Sequence, residues 1–105
     1  MDEDEVEISL SLSELAGITG VSEGALRNWR NNHLLSLVEL GSKKLGFSLD
    51  AIGRVRFIKE CRDDGYNFKE IGNFFSGGLY ERVEEKELER ELLEYRLKQM
   101  RESKR

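Results

Sequence analysis

The 105-residue sequence predicts a mainly α-helical fold: two short helices joined by a tight turn, a small two-stranded hairpin, two further helices, and one long charged helix. Three observations carry this reading. Ser11-Leu12-Ser13-Glu14 and Asn67-Phe68-Lys69-Glu70 are capping boxes, in which a side-chain oxygen and a Glu carboxylate satisfy free backbone N–H groups at a helix start. Proline is absent, so no helix is interrupted by it. From Leu79 onward there is no Gly and one Ser. A helix of about 25 residues, roughly 38 Å at 1.5 Å per residue, is expected there.

The first helix follows Ser11 and carries an apolar face of Leu12, Leu15, Ala16 and Ile18. It stops at Thr19-Gly20, where Gly accepts the left-handed conformation. Ser22 caps a second helix with Ala25, Leu26 and Trp29 spaced three to four apart. Two short helices joined by the four residues Thr19 to Ser22 make a helix-turn-helix. Leu37 to Phe47 is apolar on both sides of Gly41-Ser42 and reads as a β-hairpin, a wing. Ser48 is expected to cap a third helix with Ile52, Val55, Ile58 and Cys61 on one face, ending at Asp64-Gly65. A short fourth helix follows Asn67 and carries Ile71, Phe74 and Phe75, and Gly77-Gly78 breaks the chain. The long helix is too long to fold back on so small a body and is expected to project. The organisation is therefore an acidic disordered tail over residues 1–7, a winged helix-turn-helix over 8–78 and a charged helix over 79–105. The body is expected to stay folded when residues 81–105 are removed.

Composition excludes several classes. No apolar run approaches the 18 residues of a membrane span, and the opening MDEDEVE lacks the basic and apolar regions of a secretory signal. One Cys forbids an internal disulfide and fits a reducing compartment, so a cytoplasmic protein is expected. The net charge of −4 argues against nucleic acid only until its distribution is read. Residues 1–7 hold five acids and no base, residues 8–80 hold nine bases and eight acids, and residues 81–105 hold eight of each. The acidic balance thus sits on the tail.

Catalytic chemistry finds little support. The single His, His33, ends the second helix, where tolerance of left-handed backbone is the plainer explanation. Cys61 lies on an apolar helix face and reads as a small core residue. Neither falls in a metal-ligand spacing, and no phosphate loop or nucleophile elbow is present. We expect no enzyme, no metal and no cofactor. DNA binding fares better. Arg27, Asn28 and Arg30 surround Leu26 and Trp29 on the second helix. Arg bonds guanine edges bidentately and Asn bonds adenine, and the second helix of a helix-turn-helix is the one that enters a major groove. Lys43 and Lys44 lie just past the wing turn, in position for phosphate, and Arg54 and Arg56 add charge in the third helix.

The order of elements, and three stretches in particular, resemble the MerR family of transcription regulators. The stretches are Leu15-Ala16-Gly17-Ile18-Thr19-Gly20-Val21-Ser22, Ala25-Leu26-Arg27-Asn28-Trp29-Arg30 with Leu34-Leu35, and Phe47-Ser48 followed by Val55-Arg56-Phe57-Ile58-Lys59 and Gly65-Tyr66-Asn67-Phe68-Lys69-Glu70-Ile71. The resemblance spans Ile8 to Phe75. It implies a homodimer that binds palindromic double-stranded DNA, joined by an antiparallel coiled coil of the long helix. It further implies DNA contacts from Ser22, Arg27, Asn28, Trp29, Arg30, Lys43, Lys44 and Arg54, with Trp29 replacing an aromatic that packs near the backbone. The chain departs from the family where two adjacent Tyr are common (Asn28, Trp29), where an acid usually follows (Arg30), where Gly usually precedes Leu-Leu (His33), and where the wing's Arg position is Leu45. No sensor for a metal or drug is encoded in these residues, so a regulator without an effector-sensing domain, associated with the nucleoid, is expected. The alternative is a DNA-tethered adaptor or architectural protein, in segregation or phage recombination, whose C-terminal helix docks a partner protein.

The long helix offers two apolar stripes, Leu88, Leu92 and Tyr95 on one and Leu79, Val83, Leu93, Leu97 and Met100 on the other. All eight are candidates for the dimer seam. Residues 81–94 hold seven acids and three bases, and residues 95–105 hold five bases and one acid. Antiparallel pairing sets each acidic half against a basic half.

Overall fold

A computed structural model describes residues 8–39 and 45–103. Its elements run β1 (Ser9–Leu10), α1 (Leu12–Thr19), α2 (Glu23–Asn31), β2 (Val38–Glu39), β3 (Leu45–Ser48), α3 (Asp50–Asp63), α4 (Phe68–Ser76) and α5 (Glu85–Ser103). The architecture is a mainly helical winged helix-turn-helix followed by a long C-terminal helix.

The capping boxes form as their chemistry dictates. The Ser11 hydroxyl accepts the Glu14 N–H while the Glu14 carboxylate accepts the Ser11 N–H, both at 3.1 Å. Asn67 and Glu70 repeat the exchange at 2.8 and 2.9 Å. Such caps are worth about 1 kcal/mol each. Gly20 ends α1 at φ 78°, a conformation that L side chains resist. The Thr19 hydroxyl braces that turn by donating to the Leu15 carbonyl (2.7 Å) and accepting the Val21 N–H (3.3 Å).

The wing belongs to a three-stranded antiparallel sheet of order β1-β3-β2. β2 pairs with β3 through Val38↔Gly46 and Glu39↔Leu45, and β1 pairs with it through Ser9↔Ser48 and Leu10↔Phe47. β2 and β3 form the expected two-stranded wing; β1 adds a third strand beside it and displaces the expected cap. Ser48 is taken by the strand, and α3 starts at Asp50 after Leu49, with no side-chain cap. The wing turn, with Lys43 and Lys44, lies outside the described residues.

One core joins every helix. Leu10, Leu15, Leu26, Ile52, Val55, Ile58, Ile71, Leu88 and Leu92 are all fully buried. Each contributes about 1.5–3 kcal/mol of apolar transfer. Two members of this set lie on α5, which corrects the projecting helix. α5 starts at Glu85, not Leu79, and it packs on α1 and α3. Residues 79–84 are a non-helical link. Its Tyr80 ring lies 5.3 Å from both Phe57 and Phe75, and its hydroxyl donates to Asp50 at 3.4 Å. Burial, with Asp50 nearby, pushes the Tyr80 phenol up to about 12.

Ion pairs fasten α5 on both sides. Arg96 donates to the Glu14 carboxylate (2.8 Å) and to the Ser9 carbonyl (2.9 Å). Arg56 makes a bidentate pair with Glu91 at 2.6 and 2.9 Å. The guanidinium in each pair holds its partner carboxyl, Glu14 or Glu91, below the ordinary value of 4.5. A Cβ on Gly17 would collide with the end of the Tyr95 ring, which packs against α1 there and would have to swing aside. Removing residues 81–105 therefore strips the core of Leu88 and Leu92, contrary to the expectation of a self-sufficient body.

Candidate nucleic-acid interface

The turn between α1 and α2 fixes how α2 leaves the body. Val21 is buried, and the Ser22 hydroxyl accepts the Ala25 N–H at 3.1 Å. Ser22 thus acts first as the cap that starts α2. Along α2 the inner face is Leu26, fully buried, and Trp29, 7% exposed. Trp29 is a core residue in this structure, holding the helix down rather than standing on its outer surface.

The outer face of α2 is polar. Arg27 and Asn28 are exposed, Arg30 is half-buried, and Asn31 and Asn32 continue the surface. Their bonds are local. Arg27 pairs with Glu23 at 3.3 Å, one turn back on the same helix. Arg30 donates to the Asn31 amide oxygen at 3.3 Å, and the Asn32 amide donates to the Asn28 carbonyl (2.8 Å) and side-chain oxygen (3.3 Å). Such exposed pairs contribute little to stability and exchange readily for another acceptor. Gly24 lies on this outer face, and an added Cβ would meet nothing within 4 Å. Folding alone does not call for glycine at that position.

The helix ends at His33, whose φ of 63° turns the chain toward the wing. The Leu34 N–H donates to the Trp29 carbonyl and the His33 N–H to the Arg30 carbonyl, both at 2.9 Å. The terminator role read from the sequence is the role the backbone displays.

Arg54 and Arg56 are occupied elsewhere. The Arg54 guanidinium stands 3.9 Å over the Phe75 ring centre and donates to the Leu34 carbonyl at 3.3 Å. It therefore ties α3 to α4 and to the segment between α2 and the wing. Arg56 belongs to the α5 fastening. Glu23, Asn31 and Asn32 are the members of the face that sequence reasoning missed. The signal was available in their four-residue offsets from Arg27 and Asn28.

The seam candidates divide. Leu88 and Leu92 are buried in the core of the single chain, and Tyr95 is half-buried beside Gly17. Leu93, Leu97 and Met100 are about half exposed and lie along one stripe of α5, four and three residues apart. Leu79 and Val83 are exposed on the link.

Among the described residues, no group of three His, Cys, Asp or Glu side chains is placed to hold a metal ion. Burial is the main cause pushing the Cys61 thiol up, away from the reactive thiolate form. No described helix is long and apolar enough to cross a membrane.

No curated protein and no solved structure matches the chain. The model of the MerR HTH family of regulatory proteins matches residues 10–77, which run from β1 through the end of α4. That stretch contains the helix-turn-helix, the wing strands and both following helices. With α2 held by Leu26 and Trp29 and its Arg and Asn side chains turned outward, the chain belongs to the MerR HTH family of DNA-binding regulatory proteins.

Proposed function

We propose that the protein is a dimeric, sequence-specific double-stranded DNA-binding regulator of transcription, working in the cytoplasm on the nucleoid. The outward face of α2 supports this reading most. Arg27, Asn28 and Arg30 combine guanine, adenine and phosphate donors on the second helix of a helix-turn-helix. Their local partners release them at small cost. Ser22 and Trp29 set the height and angle of that helix. Lys43 and Lys44 serve phosphate, and Arg54 acts by holding α3 and α4 together behind the wing.

Dimerisation uses the exposed stripe Leu93, Leu97 and Met100, together with Leu79 and Val83 on the link, while Leu88 and Leu92 anchor the helix from within. The spacing of four and three is that of an apolar coiled-coil seam. Antiparallel pairing also matches the acidic first half of the helix to its basic second half. Three residues span only about 10 Å. That shortness favours a second reading, in which the stripe docks a different protein and the chain acts as a DNA-tethered adaptor.

Selection of bound duplexes from a random pool, with sedimentation of the full chain, tests the proposal. A sharp palindrome and a dimer at tens of micromolar are expected. A monomer with no palindrome overturns the regulator reading in favour of the adaptor.

A further inference from the structure

The DNA-facing surface of α2 contains an acid. Glu23 is the first residue of the helix, and its carboxylate lies 3.3 Å from the Arg27 guanidinium. The two side chains are 43% and 55% exposed, and among the described residues neither has another ion-pair partner. An acid near phosphate repels it and weakens binding to every DNA sequence. For the helix alone, an exposed pair of this kind adds little, and an acid in the first turn mainly suits the helix dipole.

The pairing acts differently once DNA is present. A guanidinium carries five N–H donors in a rigid fork. A carboxylate at one Nη leaves the others free, enough for the O6 and N7 acceptors of guanine. A held fork has less freedom to lose than a mobile one. At a site without that pair of acceptors the held fork makes no base contact, so nothing offsets the repulsion that Glu23 imposes on every duplex. The acid thus penalises wrong sites more than right ones.

We infer that Glu23 is a positioning residue for Arg27, and that it raises discrimination between DNA sequences while lowering affinity for DNA in general. The inference rests on the proposed reading of duplex DNA by α2.

The test measures, at one salt concentration, the affinities of the full chain for its selected site and for a scrambled duplex. Wild type is compared with Glu23→Ala and Glu23→Asp. Glu23→Ala removes both charge and reach. It should bind the scrambled duplex more tightly and lose about tenfold in the ratio of the two affinities, the weight of a modest base contact. The loss should fall at the base pair that Arg27→Ala also relaxes. Glu23→Asp keeps the charge and suits the helix start, but it is too short to hold Arg27. It should leave the scrambled-duplex affinity unchanged and lose the ratio to a similar degree.

A merely structural role would weaken both affinities together and leave the ratio alone. An unchanged ratio in both variants overturns the inference, and so does a Glu23→Asp protein that discriminates like wild type. Failure of the wild type to bind any duplex defeats the DNA-reading proposal itself, and the inference with it.

Discussion

On α3, Arg54 lies over the Phe75 ring and donates to the Leu34 carbonyl, and Arg56 grips Glu91 with both arms. On α2, Arg27 reaches Glu23 and Arg30 reaches Asn31, each partner on its own helix. Four arginines thus divide into two kinds. Those on α3 join elements distant in the chain, so moving them away from their partners loosens the packing of the body. Those on α2 bond only within their own helix, so another acceptor can replace those bonds without disturbing any other element. Surface arginine content alone therefore says little about where DNA binds. For these four, the partner's distance along the chain separates an arginine that fastens the body from one that another acceptor can take.

The largest expected effect tests the fastened side through its core. Leu92 is fully buried, on the helix that Arg56 and Arg96 clamp. Leu92→Ala should cost about 2–5 kcal/mol in a urea unfolding curve. A protein with a total stability of about 5–15 kcal/mol feels that strongly. A loss near zero would mean that α5 does not belong to the core.

Next comes the fastener itself. Arg54→Ala removes a cation–aromatic contact and a charged hydrogen bond, and about 1–2 kcal/mol of stability should go with them. Under conditions where it is fully folded, the variant should keep wild-type preference among DNA sequences. Altered preference with unchanged stability would move Arg54 into the reading group.

The smallest effect concerns pH. Glu14 is held below its ordinary value first by its bond from Arg96, and Glu91 first by its bond from Arg56. Their folded forms titrate lower than their unfolded forms. The stability they supply is therefore present above 4.5 and lost as pH falls through and below that value. All four groups are partly exposed, so each pair is worth about 0.2–1 kcal/mol. Unfolding curves between pH 6 and pH 3 should show the Glu14→Gln, Glu91→Gln double variant losing less stability than wild type. Parallel curves would mean that the pairs contribute nothing measurable.

Local chemistry explains which of these features could be read from sequence. The boxes at Ser11 and Asn67, the turn at Gly20 and the left-handed His33 are decided by side chains within a few residues, and each was legible. The apolar face Ile52, Val55, Ile58 and Cys61 followed from helical spacing. Ser48 misled because its fate depends on Ser9, thirty-nine positions earlier, and a two-residue strand carries no periodic pattern. Residues 79–84 contain no helix breaker, yet Tyr80 is held by Phe57, Phe75 and Asp50, and that packing overrides helix propensity. The stripe Leu88, Leu92 was visible, but whether a sister chain or the same chain covers it is a matter of tertiary packing. Of the DNA-binding candidates, Arg27, Asn28 and Arg30 stand on the outer face, whereas Trp29 and Arg54 are engaged inside the body. Sequence spacing does not separate these two groups, because a long-range partner decides each case.

The central claim, that the outer face of α2 reads DNA, is tested most directly by the affinity of Arg27→Ala for the selected site, with urea unfolding of the same sample. Specific binding should weaken by about 1–3 kcal/mol, and the preference at one base pair should relax. The unfolding midpoint should stay where it is, because Arg27 touches one exposed carboxylate on its own helix. Equal affinity of wild type and Arg27→Ala, or a weakened site explained by a lowered unfolding midpoint, would contradict the account.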